Sequence, residues 1–429
     1  MLLKGRLQVQ VFKGDSYIPI DNAKVTIIQT EIENNIKKQR DAVTNSCGLT
    51  NEFELEFSNK ENSIYSFDDI QYGLCDIKVE AQGFSTMTIK DCKIYSDNIA
   101  FQVCNMKKNM NNNRQDKKSL KYTEEIDKLL SLRREEITKY TEPEIPEFIV
   151  VHYGLLEDDT APNYVIKFKD YIKNVACCEI CPKWPEECIK AITYCITSFT
   201  LNRVYTRWYR RKGKQFDITN DAAHDLNFSY GRNTYKNIDK IVDETFSTYI
   251  KYFNRKQPIL AQFSDKISDK YIKYLDKKKA KYLGDNGKNV YEILTKFYGN
   301  DIEFVTASKI EGISKSYPGY VLQIGCKSNC VRTIQKYLNS ISLIYPSIGT
   351  NIVEGVYDDK LKKQVFKFQE IFNLTNSGKV DYATWYKISE IYSGVSGSYR
   401  FEKNIEFRKF TPPYIGSKNN VPSIVYPED

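Results

Sequence analysis

The sequence predicts a multidomain chain with an N-terminal all-β sandwich, a central α+β domain and a C-terminal three-helix module. Three observations carry this reading. At 429 residues the chain exceeds what one hydrophobic core serves, and about three domains is the ordinary division. Apolar and polar residues alternate near the N-terminus, which is the period of half-buried strands. From residue 185 onward the apolar period lengthens to that of helices. Hydrophobic residues make up 41%, with 32 Tyr and 22 Phe, a composition that folds rather than stays disordered.

The N-terminal unit is expected over residues 1–108. Leu7, Val9 and Val11 alternate with Arg6, Gln8 and Gln10, and Phe53, Leu55 and Phe57 alternate with Glu52, Glu54 and Glu56. Each run therefore has one buried and one wet face. Residues 25–28, 77–79 and 101–103 add strand candidates, and Asn22, Asn45, Gly48 and Gly73 punctuate them. A small antiparallel sandwich buries those faces. Residues 109–147 change character. NNNRQDKK is polar, EEIDKLLSLRREEI reads as a short charged helix, and TEPEIPE carries two prolines that resist a helix or central strand. A linker or a protease-accessible segment fits.

The central unit, residues 148–310, opens with the strand-like FIVVHYG. Ile189, Ile192, Ile196 and Phe199 then fall on related turns of a helix, and residues 238–253 repeat the period. Pro185 suits the first helical turn, and Glu186 and Glu187 sit where the positive helix end favours carboxylates. Glu186 also stands four residues before Lys190, a pairing worth about 0.2–0.5 kcal/mol. In residues 318–393, Val331, Ile334, Leu338 and Ile341 make one apolar stripe. Val365, Phe368 and Phe372 make most of a second, and residues 384–391 form a short third helix. Residues 394–429 read as a wrapped extension.

The formal charge of +8 favours an anionic partner without naming it. No transmembrane span is visible, and the start MLLKGRLQVQVFKGD lacks the apolar core of a signal peptide. Eleven cysteines, an odd number in a large chain, read as reduced thiols. Five of them crowd into VACCEICPKWPEECIKAITYCITSF, residues 175–199. Cys188 and Cys195 lie nearly two helical turns apart on the Ile192 and Phe199 face, so they read as small buried apolar groups rather than zinc ligands. No metal and no cofactor is expected. Neither His152 nor His224 accompanies a cysteine-nucleophile signature. The KKKAK run has no nucleic-acid motif beside it, so nucleic acid is not an expected partner.

Longer motifs add a resemblance. VHYG, APNYVIKFKDYIKNVACCEICPKWPEECIKA, SFTLNRVYTRWYRRKGKQFDITNDAAHD, YGRNTYKNIDKIVDETFSTYI and VYEILTKFYGNDI resemble the spore cortex-lytic enzymes of endospore-forming clostridia. More broadly, they resemble the sporulation stage II protein D family of peptidoglycan lytic transglycosylases. VLQIGCKSNCVRTIQKYLN, VEGVYDDKLKKQVFKFQEIFNL and SGKVDYATWYKI resemble a widespread peptidoglycan-binding module. The likeness runs over almost the whole chain. It implies a lytic transglycosylase-like central domain, a pro-region at the N-terminus and peptidoglycan glycan strands as partner. It also implies an activating protease acting within residues 109–147, and a place in the spore cortex or envelope.

For individual residues, the resemblance implies Glu179 as the one catalytic acid and base. It would protonate the leaving oxygen, then accept the proton of the muramic 6-hydroxyl as that group attacks C1 and leaves a 1,6-anhydro-muramic end. Trp184 and Tyr205 are expected as its apolar surroundings. Asp217, Asp221, His224, Asp225, Arg207 and Arg232 are expected to hold sugar or stem-peptide groups, and Tyr205 and Trp208 to stack on sugar faces. In the C-terminal module Gln335 and Gln369 are candidate ligand contacts, with Trp385 in its core. One departure counts against activity. QFSDKISDKYIKYLDKKKAKYLGDNG, from Gln262, lacks the two cysteines and the glutamine-tryptophan-glycine step of the lytic enzymes. Its Lys270, Lys273 and residues 277–279 read as wall-contacting or solvated lysines. Two functions stay open: a spore cortex lytic transglycosylase, and a non-catalytic homologue that binds cortex or assists spore assembly.

Overall fold

A computed structural model describes residues 2–14, 16–31, 36–58, 72–109, 142–264, 274–313, 315–395 and 423–425. The expected charged helix of the linker, most of the C-terminal extension, and Lys270 and Lys273 lie outside the described residues.

The N-terminal alternation becomes β1 (Leu2–Lys13), β2 (Lys24–Glu31), β3 (Ile36–Val43), β4 (Phe53–Ser58), β5 (Tyr72–Glu80), β6 (Met87–Tyr95) and β7 (Ile99–Met106). In one sheet β1 lies between antiparallel β4 and parallel β7. In the other, β3, β2, β5 and β6 are antiparallel neighbours. β16 (Ser423–Val425) adds a strand at the β6 edge. Leu7, Val9, Val11 and Leu55 from one sheet, with Val25, Ile77, Val79 and Ile89 from the other, are buried. The sheets approach closely enough to require glycine at two points. A Cβ on Gly5 would stand 2.5 Å from the Ile94 side chain, and one on Gly73 2.7 Å from the Phe57 ring.

In the central unit β8 (Phe148–His152) is buried at every position. It pairs antiparallel with β9 (Asn163–Lys167) and parallel with β10 (Ile218–Thr219). β9 runs directly into α1 (Phe168–Glu179), and the Cys181–Trp184 turn leads to α2 (Glu186–Thr206). α2 is buried along most of its length, and several of its hydroxyls find partners within the helix. Thr193, Ser198 and Thr200 each donate to the carbonyl four residues earlier, at 2.8, 2.6 and 2.8 Å. Around it stand α3 (Lys236–Thr245), α4 (Lys277–Asp285), α5 (Val290–Tyr298) and the antiparallel pair β12 (Thr248–Tyr252) and β15 (Ile302–Thr306). Cys188 and Cys195 are buried thiols, and burial pushes the Cys195 thiol up to about 12. Glu186 meets Lys190 at 2.6 Å. Glu187 accepts the Val290 N–H at 3.0 Å, satisfying a donor in the first turn of α5.

Two parts of the chain cross the divisions read from sequence. Ile145, expected in the linker, is buried and forms a bridge with Ile310. β11 (Thr234–Tyr235), a central-unit segment, joins the N-terminal sheet beside β7. The Asn233 side chain next to it donates to the Lys93 carbonyl and accepts the Lys93 N–H, at 3.1 and 3.2 Å. These bonds do not run through residues 110–141.

The C-terminal module consists of α6 (Asn329–Ser342), α7 (Asp359–Ile371) and α8 (Tyr382–Val395). Gly325, Gly355 and Gly378 all have positive φ. Three residues after each comes a helix-capping side chain: Ser328, Asp358 and Asp381 accept from the N–H groups of Val331, Leu361 and Thr384 at 3.2, 2.8 and 2.9 Å. The repeated step from left-handed glycine to cap starts every helix of the module. Val331, Ile334, Leu338, Val365 and Phe368 fill its centre.

Candidate functional site

Glu179 ends α1, immediately before the chain turns into α2. Its side chain is only 5% exposed, as is that of Lys277 at the start of α4. Lys277 Nζ donates to Glu179 Oε2 at 2.7 Å. The other oxygen, Oε1, accepts both the Asn227 backbone N–H at 3.0 Å and Asn227 Nδ2 at 2.9 Å. The carboxylate is thus enclosed by an ammonium and two amide donors. Lys277 reaches this position because β13 (Phe263–Ser264) pairs in parallel with β14 (Leu275–Asp276), and α4 starts at the next residue. Asp276 caps that helix by accepting the Lys279 N–H at 2.9 Å. The Phe263 ring lies 5.8 Å from the ammonium.

Lys277 therefore corrects its sequence reading: it is a buried partner of Glu179, not a solvated or wall-contacting lysine. Lys173 and Lys183 pair elsewhere, with Asp243 at 2.7 Å and with Asp97 at 3.7 Å. Trp184 is buried and Tyr205 half-buried; the hydrogen bonds to Glu179 come from Asn227 and Lys277.

The residues expected around a substrate separate into inward and outward groups. All four carboxylate oxygens of Asp217 and Asp225 accept from protein donors. Asp217 takes the Val150 N–H at 2.9 Å and Arg210 Nε at 3.3 Å. Asp225 takes Arg203 Nε at 2.8 Å and the Thr219 N–H at 3.0 Å. Burial holds the Asp225 carboxyl above its ordinary range against the pull of Arg203. These two residues fasten β8, β10 and α2 together. Asp221 accepts from the N–H groups of Leu156 and Ala223 at 3.2 and 3.0 Å, with the half-exposed His224 ring 4.0 Å away. Arg232 lies against the Cys178 thiol, and its Nε donates to the Asn233 carbonyl at 3.3 Å. His152 stacks on Phe216, with ring centroids 4.6 Å apart.

Arg207 closes α2 in the left-handed conformation, φ 52°. Trp208 follows and is 44% exposed.

In the C-terminal module both glutamines are spent on the fold. Gln335 accepts the Gly355 N–H at 2.8 Å and donates to the Val356 carbonyl at 3.0 Å. Gln369 accepts the Gly378 N–H and donates to the Lys379 carbonyl, both at 2.8 Å. Each clamps one of the left-handed glycine turns. Trp385 is buried, and its Nε1 donates to the Lys315 carbonyl at 3.0 Å.

Asn227, Lys277 and Arg203 were missed as members of these clusters. Lys277 lies 98 residues from Glu179 in sequence, and no local period links them. Arg203 stands on a helix whose apolar stripe gives no sign that a guanidinium is buried there.

Residues 327–388 match the peptidoglycan binding domain family. The match covers α6, α7 and the first half of α8. No curated protein gives a match. The chain thus carries a segment of a wall-binding family, and this associates it with the cell wall. Among the described residues no group of three metal-ligating side chains converges, and no helix is long and apolar enough to cross a membrane.

Proposed function

We propose that this chain is a non-catalytic peptidoglycan-associated protein, attached to wall glycan through its C-terminal module. Its central unit keeps the motifs of a lytic transglycosylase without the chemistry. Spore cortex, which the motif likeness implies, is the proposed wall. The observation that carries the reading is the buried contact of Lys277 with Glu179.

Lytic cleavage by one carboxyl group requires its oxygen to meet the glycosidic oxygen and then the 6-hydroxyl, at hydrogen-bond range. In this protein Lys277 and Asn227 take three of the roughly four acceptor positions of the carboxylate. A sugar oxygen that is to meet Oε2 at hydrogen-bond range competes there with the ammonium. Separating a buried pair leaves an uncompensated charge at a cost of about 3–5 kcal/mol, enough to slow a reaction by about two to four orders of magnitude.

The test is incubation of the full chain with purified cortex peptidoglycan, followed by mass analysis of fragments and sedimentation with the insoluble wall. Sedimentation without 1,6-anhydro-muramic ends is expected, unchanged in Glu179→Gln. Anhydro ends that vanish in Glu179→Gln would restore the enzymatic reading. Absence of sedimentation would remove the attachment reading.

A further inference from the structure

We propose that Cys75 and Cys92 are a latent cross-strand disulfide, a modification site that closes the β5–β6 hairpin when the chain meets a low-molecular-weight disulfide. The two stand directly opposite each other in the antiparallel register of β5 and β6. Opposed residues of such a pair share one face of the sheet and lie about 4.5–5.5 Å apart at Cα, within the range of about 4.4–6.8 Å that a disulfide spans. Here that face is the sandwich core: Cys75 is 3% exposed and Cys92 fully buried. Cys104 of β7, in the facing sheet, is buried as well. The Cys92 thiol is close enough to both for a charge on either to push it up, in addition to the effect of burial. A thiol core of this kind is ordinarily a set of small apolar fillers. The register singles out one pair from it, since Cys75 and Cys92 are cross-strand neighbours and Cys104 reaches them only across the gap between the sheets.

Little is lost when the bridge forms. The Cys92 S–H donates to Gln102 Oε1 at 3.9 Å, a weak contact. Access comes from the irregular stretch beside the pair. The ladder shifts register between Cys75 and Ile77, and Asp91, next to Cys92, holds a positive φ of 58°; a sheet opens first where its ladder is broken. While the hairpin is closed, burial holds both thiols above their ordinary range, so exchange waits for that opening. Cys75, the less completely buried of the two, then attacks one sulfur of the small disulfide as its thiolate and expels the other as a thiolate. Cys92, its proton passed to water, attacks the Cys75 sulfur of the mixed disulfide and releases the second small thiolate. Two protein thiols are oxidised, and one small disulfide is reduced to two thiols. The pair belongs to the N-terminal unit and shares no residue with the Glu179 contact or the C-terminal module, so it stands or falls independently of wall attachment.

The test is incubation of the full chain with oxidised glutathione, both native and during refolding from urea, followed by alkylation of the remaining thiols and mass analysis of an unreduced digest. A linked Cys75–Cys92 peptide pair is expected, formed slowly by the native chain and readily during refolding. The bridge encloses about 16 residues, and a loop of that size should raise the thermal midpoint of the N-terminal unit by about 5–10 °C, a shift that a reducing thiol reverses. Cys104→Ala should keep both the link and the shift, and Cys75→Ala should lose both. Alkylation of both Cys75 and Cys92 in the refolded chain would overturn the site and leave these thiols as core fillers. A link from Cys92 to Cys104 would overturn it too, because the register would then not be what selects the partner.

Discussion

Glu179 shows how one side chain changes the meaning of its neighbours. Its two oxygens are shared among Lys277 and Asn227, and the pair is worth little against an apolar replacement although either half alone is costly. Lys277→Met should therefore lower unfolding stability by about 3 kcal/mol. The double variant Glu179→Gln with Lys277→Met should recover most of that loss. Denaturant titration of the four proteins yields the coupling energy directly, and independent single effects would show that the contact does not form in solution. The carboxylate was legible in sequence, because an acid before a proline turn with no helix-end role to play stands out. The lysine was not, because its burial depends on a distant parallel strand pair that no periodicity encodes. Asp217 and Asp225 show the opposite difficulty. Acidic residues in a loop look like ligand contacts until their oxygens are found tying β8 and β10 to α2.

At the scale of elements, period found β1, β2, β4, β5, β7 and β8 and five of the eight α-helices among the described residues, since burial on one face is what produces the period; it missed α1, and it carried the helix of residues 238–253 through Thr248–Tyr252, which is strand β12. It could not tell which sheet a strand would join: Thr234 and Tyr235 pair with β7, across a boundary drawn from composition. The C-terminal module shows how polar residues become framework. Gln335 and Gln369 look like ligand groups because they are polar and lie on helices, yet each satisfies both polar groups of a glycine turn. Gln369→Ala would leave the Gly378 N–H without its partner inside the protein and the Lys379 carbonyl with only the Ser377 hydroxyl, at 3.5 Å. A loss of about 2 kcal/mol is expected, visible as earlier thermal unfolding of the module. Below that transition, wall sedimentation should remain at its unsubstituted level. If sedimentation disappeared in the still-folded variant, Gln369 would be a ligand contact after all.

Across the whole molecule, the three units meet at a buried charge cluster. Glu390 of α8 accepts from the Tyr17 hydroxyl of the N-terminal unit and from Lys169 of α1 at 2.6 Å, with Lys387 at 3.4 Å. Asp243 of α3 meets Lys169 at 3.0 Å and Lys173 at 2.7 Å. Burial by itself would raise the Asp243 carboxyl, but Lys169, Lys173 and Lys387 outweigh it and hold it at about 2, below the ordinary 3.8. Burial likewise opposes Glu390 ionisation, and Lys169, Lys387 and Lys167 hold that carboxyl well below its ordinary range. A carboxyl depressed in the folded state stabilises the fold at pH values above its unfolded pKa, and that contribution is lost as pH falls through the folded value. For Asp243 the window runs from about pH 4 down to about pH 2, with about 2 kcal/mol at stake. Denaturant unfolding of the full chain between pH 7 and pH 2 should show stability falling in that window. Asp243→Asn should be less stable at pH 7 and have a flatter acid limb, because the group that takes up the proton is gone. An acid limb of equal slope in both proteins would mean that this junction is not what holds the units together.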